Sequence, residues 1–228
     1  MNEKILSFQD VIIRQSDVDC LEPCQWLNDI IIEFYLQYLS TYIPQGRKDI
    51  LYIPPSTTYL MLHGGLEVAK SVSDSLHLKE YATLFFALND NTNPEALCGG
   101  THWSSLVVDV QTLQCTHYDS SIGSNADVAQ RFVRVLSEIF EKPTRVDHAK
   151  DCPQQDNGYD CGLFCIYIAS SVFPYHKVSH DVRLFLLDST CPGGDGELMH
   201  LSQTEGMRKG LIQLILDLSA ASTSSTIT

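Results

Sequence analysis

A cysteine set directly ahead of an apolar run carries the most reactive chemistry in this chain. The stretch Gln155-Asp156-Asn157-Gly158-Tyr159-Asp160-Cys161-Gly162 leads into Leu163, Phe164, Ile166, Tyr167, Ile168, Val172 and Phe173, the pattern of a buried helix. Cys161 therefore falls at a helix N-terminus, where unpaired amides and the positive dipole end stabilise a thiolate and make it a nucleophile near neutral pH. Asn157-Gly158 supplies the tight turn before it.

Acyl transfer through that sulfur also needs a proton shuttle, a group that orients the shuttle, and donors for the oxyanion. Residues 102–110 and 115–119 have the β-branched and aromatic content of strands, around a short polar gap. If they pair about a turn near 110 and 111, residues whose numbers sum to about 221 face each other, and His102 and Asp119 are such a pair. That is the geometry of a base and its orienting carboxylate. Gln155, six positions before Cys161, can loop back so that its side-chain amide and the Cys161 N–H both aim at an oxyanion. His117 and His148 compete for the role of base. His117 shares the presumed strand face of Asp119, but only His102 is followed by a tryptophan and placed for the pairing.

The surrounding elements must hold these groups. A chain of 228 residues, 44% apolar and 19% charged, suffices for one domain with a substantial core; the domain is expected over residues 1–218, with a small, polar, disordered tail at 219–228. An apolar stripe at 26, 27, 30, 31, 34, 35, 38 and 39 predicts a helix over 26–39. Pro44, Gly46, Pro54 and Pro55 make 40–56 a loop with a short strand at 50–53, and 65–79 has mixed helical character with His63 and His77 at the surface. Residues 83–88 read as a buried central strand. The 12 residues of 89–100 exceed the usual strand connection and are expected to close as a mobile lid over a bound tail. A stripe over 125–141 predicts a helix ended by Pro143, and 145–148 a short strand delivering Gln155 and Cys161. Residues 179–187 and 197–218 look helical, with a break at Cys191-Pro192-Gly193-Gly194.

A net charge of −13 argues against nucleic acid as a partner and suits a basic surface or an arginine-bearing tail. Met1-Asn2-Glu3-Lys4 is not followed by a signal-peptide core, and no run is long enough to span a membrane. A soluble protein of the cytoplasm and/or nucleus is expected, with its eight cysteines reduced. Their spacings form no paired C-x-x-C knuckles, so no metal is expected.

The order His-Trp, an aspartate 17 residues later, and then Gln-x-x-Asn-Gly-Tyr-Asp-Cys-Gly resembles the sentrin/SUMO-protease family, cysteine proteases that process ubiquitin-like modifiers. The resemblance covers roughly residues 5–170. Two stretches are most similar to the deneddylase branch, which acts on the Nedd-type (Rub) modifier. One is Ile13-Arg14-Gln15-Ser16-Asp17-Val18, leading to Trp26-Leu27-Asn28-Asp29-Ile30-Ile31; the other is Ala87-Leu88-Asn89-Asp90-Asn91-Thr92-Asn93, running through Gly99-Gly100 into Thr101-His102-Trp103-Ser104. The resemblance implies an α+β, papain-like (adenain-type) fold, a central mixed β-sheet flanked by helices, working as a monomer without a cofactor. It implies catalytic roles for His102, Asp119, Cys161 and Gln155. Trp26 and Trp103 would line a narrow tunnel over the substrate's diglycine, with Asp29 receiving a substrate arginine and Asn91 also contacting substrate. Flat indoles suit that task, because they pack on side-chain-free backbone and exclude bulkier residues.

The implied partner is the Nedd-type modifier and its conjugates such as cullins. Attack on the carbonyl after the terminal Gly-Gly would give a thioester that water hydrolyses, maturing a precursor or releasing the modifier from a lysine. Alternatives are a SUMO-specific protease, an acyltransferase using the same Cys/His pair with acetyl-CoA, or a non-catalytic binding module. The paired tryptophans favour a diglycine substrate over the second. Cys161, His102, Asp119 and Gln155 together argue against the third, since a binder has no need of all four.

Overall fold

The computed structural model describes residues 2–93, 99–174 and 201–224. A hairpin opens it, β1 (Lys4–Phe8) against β2 (Val11–Arg14), followed by the short α1 (Gln15–Asp19). Helix α2 (Asp29–Ser40) begins three residues later than the stripe predicted. Asn28 is its N-cap, accepting from the Ile31 amide at 3.0 Å while its own amide donates to Asp17 at 2.9 Å. A bonded N-cap fixes a helix start more firmly than hydrophobic spacing does. Trp26 and Leu27 are thereby left ahead of the helix, outside any regular element.

β3 (Ile50–Ile53) lies where expected, but the two prolines after it start a helix. Pro55 is the first residue of α3 (Pro55–His63), a position where the missing N–H costs nothing. Gly64 and Gly65 separate α3 from α4 (Leu66–Leu76). His77 is exposed, whereas His63 is half-buried and stacks on Tyr59, ring centroids 4.3 Å apart. β4 (Thr83–Asn89), β5 (Trp103–Asp109) and β6 (Gln114–Tyr118) follow, then α5 (Ala126–Phe140), β7 (Arg145–His148) and α6 (Cys161–Ser171). The sheet order is β3-β4-β5-β6-β7, with parallel pairs at its two edges and antiparallel pairs between.

The sheet separates two cores. On β4, Phe85 and Ala87 face one of them, while Leu84, Phe86 and Leu88 face the other. A strand covered on both sides reads as a continuous apolar run, which is why 83–88 looked central. The first core is filled by α2, by α6 and by α7 (Leu201–Ser224) with the β1–β2 hairpin; the second by α3, α4 and α5. This is the α+β, mixed-sheet architecture that the resemblance implied.

Helix α7 corrects the expected tail, because it continues through Ser224. Ala220 and Ala221 favour helix, and the Ser222 hydroxyl donates to Leu218 O at 2.8 Å. The Ser219 hydroxyl donates to Ile5 O at 2.7 Å, tying the helix to β1. Residues 225–228, the expected helix at 179–187, the break at 191–194 and the middle of the expected lid lie outside the described residues.

Candidate active site

Cys161 is the first residue of α6, as its spacing predicted. Gly162 is required by the same packing: a Cβ there would stand 2.7 Å from the Leu27 Cβ, with no flexible side chain able to give way. Asp160 occupies the N-cap position, yet its carboxylate does not cap the helix. Among the described residues nothing accepts from the Cys161 N–H, one of the first-turn amides that a helix leaves as free donors.

His102 Nε2 lies 2.7 Å from Asp119 Oδ1, both side chains over nine-tenths buried. The hairpin register is two residues from the one expected, since Asp109 faces Gln114 and Ser105 faces Tyr118. The extra turn residue Leu113 takes a left-handed φ of 57°. Because side chains alternate with a period of two, an even slip preserves the face. His102 and Asp119 still meet, as a diagonal pair just beyond the strand ends. With Nε2 committed to Asp119, Nδ1 is the nitrogen left for Cys161, which lines the same cleft.

Burial alone would lower the His102 pKa. The bond to Asp119, its negative charge, and the neighbouring Cys161 sulfur outweigh burial and raise it to about 9, so the ring is an imidazolium at neutral pH. Burial likewise pushes Asp119 upward, but bonds from His102 and from the Asn125 and Ser121 amides hold it below the usual carboxylate range. His117 behaves oppositely. Burial, with His148 and His102 nearby, lowers it to about 4 against the pull of Asp119. Its ring is spent on Ser104 Oγ (2.9 Å) and His148 Nδ1 (3.0 Å), which removes it from competition as the base.

Gln155 is held by Ser120 at two points. Its backbone amide donates to Ser120 O (2.8 Å), and its Oε1 accepts from the Ser120 hydroxyl (2.7 Å). One Nε2 proton goes to Asn157 O at 2.6 Å, leaving the other to donate elsewhere. Fixing the carbonyl end determines which way the amide nitrogen faces.

Cys161 and His102 open onto a cleft of about 440 Å³, lined also by Trp26, Asp29, Asn91 and Trp103. Every residue that the resemblance assigned to substrate therefore borders it, while Asp119 and Gln155 stand behind its lining. Trp26 is 50% exposed. The Trp103 indole donates to Leu27 O at 3.1 Å, joining the two tryptophan-bearing segments. Gly99 comes against the Asn91 side chain so closely that any Cβ would overlap it. Among the described residues no cluster of three or more His, Cys, Asp or Glu could hold a metal ion.

Three supporting groups escaped the sequence reading. Asn125, fully buried, donates from its backbone to Asp119 Oδ2 (3.0 Å) and from its side chain to Ser104 Oγ (3.0 Å) and His102 O (3.3 Å). Asp90 accepts from the Thr101 and His102 amides at 2.5 and 3.0 Å, fixing the strand entry. Arg208 of α7 ion-pairs with Asp160 at 2.6 Å in the interior. A cation on the apolar stripe formed with Leu211 and Ile215 is the only hint the sequence offers of that last contact.

Comparison with known proteins gives the family and the fold. A family model described as "Ulp1 protease family, C-terminal catalytic domain" matches residues 25–192, so Arg208 lies beyond the matched segment. The chain is 37% identical over 170 residues to NEDD8-specific protease 1 of Arabidopsis thaliana, covering 74% of each. It is 35% identical over 173 residues to human sentrin-specific protease 8, covering 73% of this chain and 79% of that one. The solved C-terminal Ulp1 protease domain in complex with Smt3, the yeast ortholog of SUMO, superposes with a TM-score of 0.69 at 19% identity, over 96% of this chain and 89% of that one. At that identity the likeness speaks for the fold.

Proposed function

The chain belongs to the Ulp1 protease family of cysteine peptidases, and from that premise we propose that it cleaves after the terminal Gly-Gly of a Nedd-type ubiquitin-like modifier. The observation that carries the reading is the His102–Asp119 pair at 2.7 Å, with His102 sharing a cleft with a cysteine at the head of α6 and bordered by both tryptophans. The name of the Arabidopsis relative supports the Nedd type over the SUMO type.

Each residue then has a task. Cys161 attacks the glycine carbonyl as a thiolate paired with the His102 imidazolium. Asp119 holds the ring in the orientation and tautomer that present Nδ1 to sulfur. The Cys161 N–H and the free Nε2 proton of Gln155 receive the developing oxyanion. His102 gives its proton to the leaving amine, and afterwards takes one from the water that hydrolyses the thioester. Trp26 and Trp103 close over the diglycine, Asp29 pairs with an arginine upstream of it, and Asn91 contacts the tail. Substrates in this reading are the modifier precursor and conjugates such as cullins, met by a monomeric single-domain enzyme in the cytoplasm or nucleus.

Nedd, SUMO and ubiquitin, each tipped with a thiol-reactive electrophile, test the reading against wild type and Cys161→Ala. An adduct with Nedd alone, absent from the variant, is expected. An adduct with SUMO would keep the chemistry and overturn the modifier. No adduct with any of the three would remove the diglycine substrate.

A further inference from the structure

We propose that Arg208 is a positioning residue, a clamp from α7 that holds the segment entering Trp26 and the turn presenting Cys161 in one fixed relation. The inference rests on the catalytic reading above and adds a residue outside the site's lining. Arg208 is 3% exposed. Its Nη1 donates to Cys20 O (3.0 Å) and Glu22 O (3.1 Å), and its Nη2 to Gln25 O (2.7 Å) and Asp160 Oδ1 (2.6 Å). All four Nη protons are thereby spent, three on backbone carbonyls of residues 20–25 leading into Trp26 and one on the residue immediately before Cys161. A rigid planar fork suits such a junction because its donors have fixed directions.

Asp160 shows the other half of the device. An aspartate at an N-cap ordinarily turns its carboxylate onto the first amides of its helix. Here Oδ1 goes to Arg208 and Oδ2 accepts from Asn157 Nδ2 at 2.9 Å, so the carboxylate is held by the clamp and the preceding turn rather than by its own helix. The same contact therefore steadies the nucleophile's turn. Tyr159 lies under the guanidinium, 5.9 Å from ring centroid to Cζ. Both sides of the clamp thus meet around one buried cation.

The two halves are separable by kinetics. Arg208→Lys keeps a charge for Asp160 but cannot reach three diverging carbonyls, so KM for the cleavable modifier is expected to rise at least fivefold with kcat within twofold of wild type. Asp160→Asn leaves the guanidinium on its carbonyls but weakens its hold on the nucleophile's turn. There kcat is expected to fall at least tenfold with KM within twofold, and iodoacetamide alkylation of Cys161 at pH 7 to slow in parallel. Should a single replacement fail to fold, Arg208→Met/Asp160→Leu substitutes an apolar pair for the buried ions, a change interiors commonly tolerate; that variant is expected to fold and show both defects. Normal kinetics in the folded variants would overturn the clamp, as would kcat falling only with the unfolded fraction while KM stays unchanged. Alkylation needs no modifier, so a wild type that reacts with none of them would sink the substrate reading while leaving the Asp160 arm measurable.

Discussion

The β5–β6 wall of the cleft is tied together by partners near in sequence, whereas the α6 wall is tied by a side chain from the far end of the chain. His102 and Asp119 are 17 positions apart, and Asn125, which braces both, is 23 positions from His102. Arg208 instead reaches back 183 to 188 positions to residues 20–25, and 48 to Asp160. Spacing arguments can find the first kind of tie because a hairpin converts separation into proximity. They cannot find the second, which exists only once α7 has docked.

The comparison predicts where damage stays local. Cys161→Ala has the largest effect, an activity loss of about 10⁶-fold by analogy with serine-protease nucleophiles, read as single-turnover cleavage. On the β5–β6 wall, Asp119→Asn is expected to cost about 10⁴-fold in kcat by presenting the wrong tautomer, with the melting temperature nearly unchanged. A large melting shift there would break the contrast between the walls. Gln155→Ala, which removes one oxyanion donor and leaves the Cys161 amide, is expected to cost about 10²- to 10³-fold in kcat. On the α6 wall, Gly162→Ala forces a Cβ against Leu27 and is expected to destabilise by about 1–3 kcal/mol in denaturant unfolding, because neither backbone can give way cheaply.

The smallest effect is one of pH. Since His102 is raised to about 9, its imidazolium persists through neutrality and is lost as pH rises through that value. The profile of kcat/KM is therefore expected to fall on an alkaline limb near pH 9. A limb near the ordinary histidine value would mean that Asp119 and Cys161 do not hold the proton as the geometry indicates.

Much of the site was legible because its chemistry is written locally. Cys161 was placed at the head of a helix by an apolar run that α6 reproduces, and the hairpin brought His102 to Asp119 despite a two-residue error in register. The error was harmless only because it was even. The helix from 26 was misplaced for a different reason: Asn28 caps α2, and the chain before it, including Trp26, is held by tertiary bonds. The β1–β2 hairpin and the helical course of 219–224 were missed, since both depend on packing that their own residues do not announce. Asn125 read only as the first residue of the predicted helix over 125–141, and Asp160 was given no role of its own.

The most direct test of the account is the alkylation rate of each cysteine by iodoacetamide at pH 6, resolved by mass spectrometry. Burial pushes the Cys115 and Cys152 thiols up to about 12, so they should stay inert. Cys161, beside an imidazolium that pH 6 leaves fully protonated, should react fastest of all and lose that advantage in His102→Ala. A Cys161 that reacts no faster than the exposed Cys24, or that keeps its rate without His102, would contradict the central claim that this cleft holds an activated thiol.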